Sequence, residues 1–464
     1  MNSKWAFITP RSIAASLLVA LILAACVAPE IERSDQPRST SDTTAETVEK
    51  VSVPAAHSDQ PRLTPDAFDT EIEALASGIN AFAFDLYQAI RGGEDNLIFS
   101  PFGISQALAM VYAGARGKTA EQMADTLHFT LPQECLHPAF NALDQELASR
   151  AREAVGNTSG QSMSDSAFEL HVTNAIWGQK GLPYRPEYLA VLAQNYGSGV
   201  QFIDLKGNPD AAVAETNRVA SQETGGRIPE MKTKLPKDTR LVVVSIISFN
   251  AARDLPFKES NTYREPFHLL DGHEKSVPMM HQRNRFRYTE GDSFQAIQLP
   301  YLNRTVAMVI LLPREGLFRE IEQQLTGERV QGIVGSLGEQ NVILTMPKFT
   351  YAPELPLNQV LENMGMPDAF REGVADFSGM LEKPESDNVR IEEVLHKCFI
   401  DLDERKTKAE AVTEIIIEKF ISKGDAASTP VPIVMKIDRP FIFVIRDIKT
   451  NTILFVGRVT NPVP

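Results

Sequence analysis

Chemistry needs a nucleophile, a set of metal ligands or a cradle for phosphate, so residues of those types come first. Gly114-Ala115-Arg116-Gly117-Lys118-Thr119 has the ending of a phosphate loop. That loop needs a glycine five residues before Gly117, and Tyr112 stands there, so the segment reads as a helix start with Thr119 as cap and Gln122 three residues on. His268, His273 and His281 lie five and eight residues apart, a spacing that puts no two of them on one helix face, and no metal site is expected. The chain contains neither a G-x-S-x-G elbow nor an H-E-x-x-H pair. Cys398 sits in the apolar run Val394-Leu395-His396-Lys397-Cys398-Phe399-Ile400, where a thiol serves as a small core residue. Three cysteines in 464 residues make no disulfide framework. The net charge of −14 argues against nucleic acid as a partner, because phosphate binding needs clustered Lys and Arg. No catalytic constellation emerges and no cofactor is called for.

The elements that could position a site begin after residue 65. Ile72, Leu75, Ile79, Phe82, Leu86 and Ile90 repeat at helical spacing and stop at Gly92-Gly93. Ser100-Pro101 reads as the start of a second helix. Later the chain turns to strands: Leu241 to Phe249 and Val342 to Phe349 are apolar runs, and Phe441 to Arg446 with Thr452 to Val459 form a buried hairpin around a polar turn. Trp177 belongs to an apolar strand. Helices early and strands late predict an α+β fold.

The front of the chain reads as an address. Lys4 and Arg11 precede an apolar run, Ile13 to Ala25, shorter than the roughly 20 residues that span a bilayer. It ends in Leu23-Ala24-Ala25-Cys26, which resembles the bacterial lipobox, where small residues admit the signal peptidase and the cysteine thiol takes a lipid. Residues 1–25 are thus expected to be a lipoprotein signal peptide and Cys26 the lipidated, membrane-anchoring N-terminus. Residues 26–65, with five prolines amid Ser, Thr, Asp and Glu and no aromatic residue, read as a disordered tether. The expected address is the bacterial cell envelope, outside the cytoplasm. Val27 in place of Asp permits an outer membrane if the host has one.

From residue 96 on, a dozen motifs, Met308 to Pro313 among them, occur in a fixed order. They run from Asn96-Leu97-Ile98-Phe99-Ser100-Pro101 through Asn174-Ala175-Ile176-Trp177, Thr224-Gly225-Gly226-Arg227-Ile228, Glu265-Pro266-Phe267 and Val277-Pro278-Met279-Met280. Leu299-Pro300-Tyr301, Pro347-Lys348-Phe349 and Asp376-Phe377-Ser378-Gly379-Met380 follow, then His396-Lys397, Asp438-Arg439-Pro440-Phe441 and Gly457-Arg458-Val459. In that order over nearly the whole of residues 66–464 the chain resembles the serpin family. The resemblance implies about nine helices around three β-sheets, an exposed reactive loop at about residues 404–435, and inhibition of a serine protease by a monomer that is not itself an enzyme. The cleaved loop is then expected to enter the main sheet as a new central strand.

Such a strand has two faces. Thr407, Ala409, Ala411, Thr413, Ile415 and Ile417 form one, without charge; Lys408, Glu410, Val412, Glu414, Ile416 and Glu418 form the other. The loop can therefore insert with every charge outward. The hinge begins at Glu404, and Lys406 replaces the glycine usual in inhibitory members, which favours the alternative of a non-inhibitory serpin that is cut or acts as a binding module. Counting forward along the hinge puts the scissile bond between Phe420 and Ile421, suited to a chymotrypsin-like protease. Lys419 and Lys423 are the trypsin-like alternatives, since the loop is longer than usual. The family's polar cluster under the sheet opening is matched by Ser100 and His396. Gly103 replaces its second serine, Ser245 its asparagine, and Arg253 the tryptophan near the top of the opening. Residues 139–153, a helical region after Pro138, mix acids with Arg150 and Arg152 and lack a heparin-type basic stripe.

Overall fold

In the computed structural model, residues 55–56, 61–156, 168–223, 226, 234–236, 239–301, 304–382, 389–404 and 431–463 are described. They belong to one compact unit. The helices among them are α1 (Asp69–Ile90), α2 (Pro101–Tyr112), α3 (Gly117–Leu127), α4 (Gln133–Gly156), α5 (Pro186–Tyr196), α6 (Pro209–Glu223), α7 (Phe318–Gln323), α8 (Gly327–Ser336) and α9 (Asn358–Met364). The strands are β1 (Ala55–Ala56), β2 (Leu97–Phe99), β3 (Phe168–Gln179), β4 (Val200–Ile203), β5 (Leu241–Ala251), β6 (Thr262–His268), β7 (Glu274–Glu290) and β8 (Phe294–Pro300). They continue as β9 (Val306–Pro313), β10 (Gly338–Pro347), β11 (Phe349–Tyr351), β12 (Glu354–Pro356), β13 (Glu393–Leu402), β14 (Ile433–Lys436), β15 (Phe441–Asp447) and β16 (Ile453–Val459).

Local chemistry accounts for the helix starts. Asp69 and Glu71 lie in the first turn of α1, where the helix dipole favours acids, and Glu71 accepts a hydrogen bond from the Phe68 N–H at 2.9 Å. Leu75, Ile79, Phe82 and Leu86 are buried at the expected spacing. Ser100 caps α2: its Oγ accepts from the Gly103 N–H at 3.1 Å, and Pro101 occupies the first helical position. Every residue of α2 is buried, so this helix runs through the interior. Two local expectations are corrected. Arg116, not Thr119, stands at the N-cap of α3, and Thr119 Oγ1 instead accepts from the Asp376 N–H at 2.9 Å. Helix α4 starts at Gln133, ahead of Pro138, which lies inside it.

The strands form two hydrogen-bonded networks. The first runs β1-β4-β3-β5-β13-β11, with β12 also on β13. The second runs β14-β10-β7-β8-β9-β15-β16-β2, with β6 on β7. The second and third sheets implied by the family are joined because β7 is 17 residues long, pairing with β6 at its start and β8 at its end. The closing hairpin β15–β16 is buried along its length and turns through Asn451, whose φ of 60° is a left-handed conformation that Asn tolerates. One large core fills the space between sheets and helices. A smaller cluster of Trp177, Val242, Val244, Ile246 and Leu395 lies on the opposite face of the first sheet, with Val219 of α6 against it.

Of residues 26–65, those that are described touch the body. Arg62 reaches Asp144 at 2.6 Å and Asn141 at 2.8 Å on α4, and the Leu63 N–H donates to the Gln194 carbonyl on α5 at 2.9 Å. Ala55 and Ala56 pair antiparallel with Gln201 and Val200, adding β1 to the edge of the first sheet.

Candidate functional site

The middle of the first sheet is a seam between two parallel strands. β5 and β13 pair from Val242–Glu393 to Phe249–Ile400, and β3 lies antiparallel on the far side of β5. Parallel neighbours cannot be joined by a short turn, and elsewhere in this sheet β3 and β5 are antiparallel. The chain leaving β13 at Leu402 does so at the same end of the sheet at which β5 ends. A segment that turned back there would run antiparallel to both strands. It would replace one parallel ladder by two antiparallel ones, which are slightly more stable per residue. The expected hinge positions Lys406, Thr407, Ala409, Ala411 and Thr413, and the expected scissile residues Lys419, Phe420, Ile421 and Lys423, lie outside the described residues, as does Cys26.

Glu404, where the hinge was expected to begin, is described and is held. It is 6% exposed, and its Oε2 accepts from Lys348 Nζ at 2.8 Å. Burial alone would raise its pKa, but hydrogen bonds from Lys348 and Thr262 outweigh it and hold the carboxyl below its ordinary range. Within electrostatic reach of Asp403, the buried Arg253 guanidinium lies over the rings of Phe257 and Tyr301 at 5.6 and 5.7 Å. Burial pushes its pKa down, opposed by Tyr301 and Asp403. Arg253 thus fills with a cation and two aromatic rings the place where the family has an aromatic side chain, next to the root of the loop.

Halfway down the seam lie Ser100, Ser245 and His396, all buried. The Ser100 N–H donates to His396 Nε2 at 3.0 Å, so the ring that accepts it is neutral. Burial depresses the His396 pKa to about 3, against a smaller opposing pull from the Ser245 backbone. Ser245 stands directly across the seam from His396, and its hydroxyl has no hydrogen-bond partner among the described residues. A Cβ at Gly103 would come within 3.0 Å of that hydroxyl, so the loss of the family's serine at 103 leaves just room for the serine at 245.

Sequence reasoning missed two parts of the seam. Asn174 of β3 stands opposite Ser245, extending the polar row to Asn174–Ser245–His396 over three strands, and donates to Gln106 Oε1 of α2 at 2.8 Å. In the sequence Asn174 stands only as part of a motif; its place in the row depends on register. Glu392 closes the foot of the seam: its Oε2 accepts from the Leu241 N–H at 2.8 Å and its own N–H donates to the Leu241 carbonyl. Burial raises its pKa to about 7, against backbone donors at Leu241 and Arg240.

The other groups with chemical potential are placed apart from the seam's polar row. His268, His273 and His281 each lie 3.0 to 3.2 Å from a different carboxylate, Glu274, Asp271 and Glu265. No group of three metal-binding side chains occurs among the described residues. Cys398 is buried, its Sγ 3.3 Å from the Ile98 carbonyl, and burial pushes its thiol pKa up. What sets this seam apart is topological: two parallel central strands in direct contact.

A family model described as Serpin (serine protease inhibitor) matches residues 77–462. An uncharacterized serpin-like protein of Thermococcus kodakarensis is 38% identical over 388 residues, covering 84% of this chain and 86% of its own. The leukocyte elastase inhibitor of Xenopus laevis is 31% identical over 403 residues, covering 84% of this chain and 100% of its own. The crystal structure of tengpin, a thermophilic serpin, in the native state superposes with a TM-score of 0.71 at 25% identity, over 87% of this chain and 97% of that one.

Proposed function

The chain belongs to the serpin family, and from that premise we propose that it inhibits a serine protease as a suicide substrate. The observation that carries this is the seam: two parallel central strands in direct contact, with the loop rooted at the end where both finish. In the proposed sequence the protease's serine Oγ attacks the Phe420 carbonyl carbon, the amine of Ile421 leaves, and an acyl ester joins the two proteins. The freed segment after Glu404 then enters between β5 and β13, with Thr407, Ala409, Ala411 and Thr413 facing the interior. The attached protease is drawn along the sheet, and hydrolysis stalls because it depends on placed oxyanion donors and an oriented base. A Phe at the cleaved bond supports a chymotrypsin-like target. The Leu23-Ala24-Ala25-Cys26 motif supports a lipid-anchored protein on the outside of a bacterial envelope. The protein acts as a monomer and catalyses nothing itself.

Incubating the protein with chymotrypsin, and separately with trypsin, tests this on a denaturing gel with mass spectrometry of the released peptide. A band that survives denaturation at the summed mass less the released peptide is expected with chymotrypsin, that peptide beginning at Ile421. Clean cleavage without such a band by chymotrypsin-, trypsin- and elastase-like enzymes would instead support a serpin that is only a substrate. Lys406, which replaces the glycine that eases the hinge turn, favours that second reading.

A further inference from the structure

Strand β7 carries Arg283, Arg285 and Arg287 at alternate positions, all exposed, while Gln282, Phe286 and Tyr288 on its other face are buried. Period-two geometry sets the three guanidinium groups on one face, about 7 Å apart along the strand. Little neutralises them. Arg285 lies 3.9 Å from Glu339 with both side chains exposed, a pair of small worth. Arg283 contacts Asn341 Oδ1 at 3.4 Å, and Arg287 donates to the Leu337 carbonyl at 2.9 Å. The spacing is within the Debye length of about 8 Å at physiological salt, so the row repels itself. It does so in a chain whose net charge is −14.

The row sits beside the place where the reactive loop rejoins the body. In register, Arg283 stands next to Ile343 of β10, and Ile343 next to Val434 of β14. Val434 is 63% exposed and Val431, just before β14, is 88% exposed. Two strand spacings, about 10 Å, separate β14 from β7. Residues 421–432 reach at most roughly 40 Å at full extension, so a protease held at Phe420 stays within that distance of this face.

We propose that the face formed by Arg283, Arg285, Arg287, Ile343 and Val434 is a docking surface for an acidic patch on the protease engaged at the loop. This rests on the inhibitory reading and adds a selectivity that the scissile bond does not supply: between two Phe-directed enzymes, the one with the acidic surface is favoured. The exposed valines decide for a protein partner, since a free polyanion would use the arginines alone.

The test compares the full chain with R283Q/R285Q/R287Q and R283E/R285E/R287E. All three side chains are exposed, and the Gln variant guards against a misfolded charge reversal. Rates of loop cleavage and of complex formation are measured from low to high salt with two Phe-directed serine proteases, one acidic and one basic at its surface. With the acidic enzyme the Gln variant should react about tenfold more slowly at low salt and lose its salt dependence; with the basic enzyme it should react faster. Equal rates and equal salt dependence for all three proteins overturn the proposal. They do so even if inorganic polyphosphate binds the unmodified chain alone, which would assign the row to a polyanion. Failure of the inhibitory reading looks different: cleavage at unequal rates with no denaturation-resistant complex. No cleavage of any of the proteins by either enzyme overturns both.

Discussion

Ser245 offers a measure of how firmly the seam is shut. It is 1% exposed, and its hydroxyl has no hydrogen-bond partner among the described residues. A buried hydroxyl left unpaired costs about 1–3 kcal/mol, and that cost is relieved once the strands part and water reaches it. Ser245→Ala removes the hydroxyl and keeps the Cβ, so the closed sheet should gain about 1.5 kcal/mol while the open state gains little. That slows unfolding roughly tenfold and raises the thermal midpoint by about 2 °C for a domain of this size. Trp177, 2% exposed on β3, reports the opening by fluorescence after a denaturant jump. The same variant should trap a protease less efficiently and be cut more often as a plain substrate. Gly103 supplies a second arm. Its added Cβ would meet the Ser245 hydroxyl at 3.0 Å, so Gly103→Ala should be better tolerated with Ala at 245 than with Ser, by about 1 kcal/mol. Unchanged or faster unfolding of Ser245→Ala, with no coupling to position 103, would refute the claim that this hydroxyl is unpaired.

Further expectations concern the loop, the anchor and pH. Thr407→Arg places a charge on the inner face of the inserting strand, at a cost of several kcal/mol; trapping should be lost with cleavage retained, and retained trapping would defeat the alternation argument. Phe420→Lys should move reactivity from chymotrypsin to trypsin by orders of magnitude in rate, whereas an unchanged preference would place the scissile bond elsewhere. Cys26→Ser should release the protein from the membrane fraction of cells that express it, and continued membrane association would remove the lipid anchor. His396 is neutral in the closed sheet, with a pKa near 3 against an ordinary value of about 6.5. The native state therefore binds fewer protons than the unfolded one, and its stability is present above about pH 6.5 and lost as pH falls toward 3. His396→Gln should flatten that dependence by about 1.4 kcal/mol per pH unit between about pH 4 and 6. Unfolding rates at stepped pH measure it, and an unchanged slope would show that the ring is not the titrating group.

What the sequence made legible was what local pattern controls. The apolar spacing of Ile72 to Ile90 gave α1, Ser100-Pro101 gave the start of α2, and the closing strands gave β15 and β16, because each depends on residues within a few positions of one another. Thr119 misled because its hydroxyl is taken by the Asp376 backbone, a partner 257 residues away. The row Asn174–Ser245–His396 needs the register of three strands at once, and no local pattern carries that. The contacts of Arg62 were hidden for the same reason. Residues rich in Pro, Ser and Thr look unable to dock, yet one arginine meets Asp144 on α4. The Lys348–Glu404 pair, likewise, joins the root of the loop to the junction of β10 and β11, which composition cannot place beside it.

The edge pairing of Ala55 and Ala56 puts this short segment at one end of the first sheet. Their partners Val200 and Gln201 lie level with Ile176 and Trp177, and those with Val243 and Val242, near the start of β5. The loop leaves β13 at the end of the sheet where β5 finishes, about 25–30 Å away at the rise of a strand. If Cys26 is the anchor, the leash joins the body at the end remote from the bait, and the bait is presented outward. Insertion along the seam would then haul a captured protease from the outer pole toward the surface it had approached.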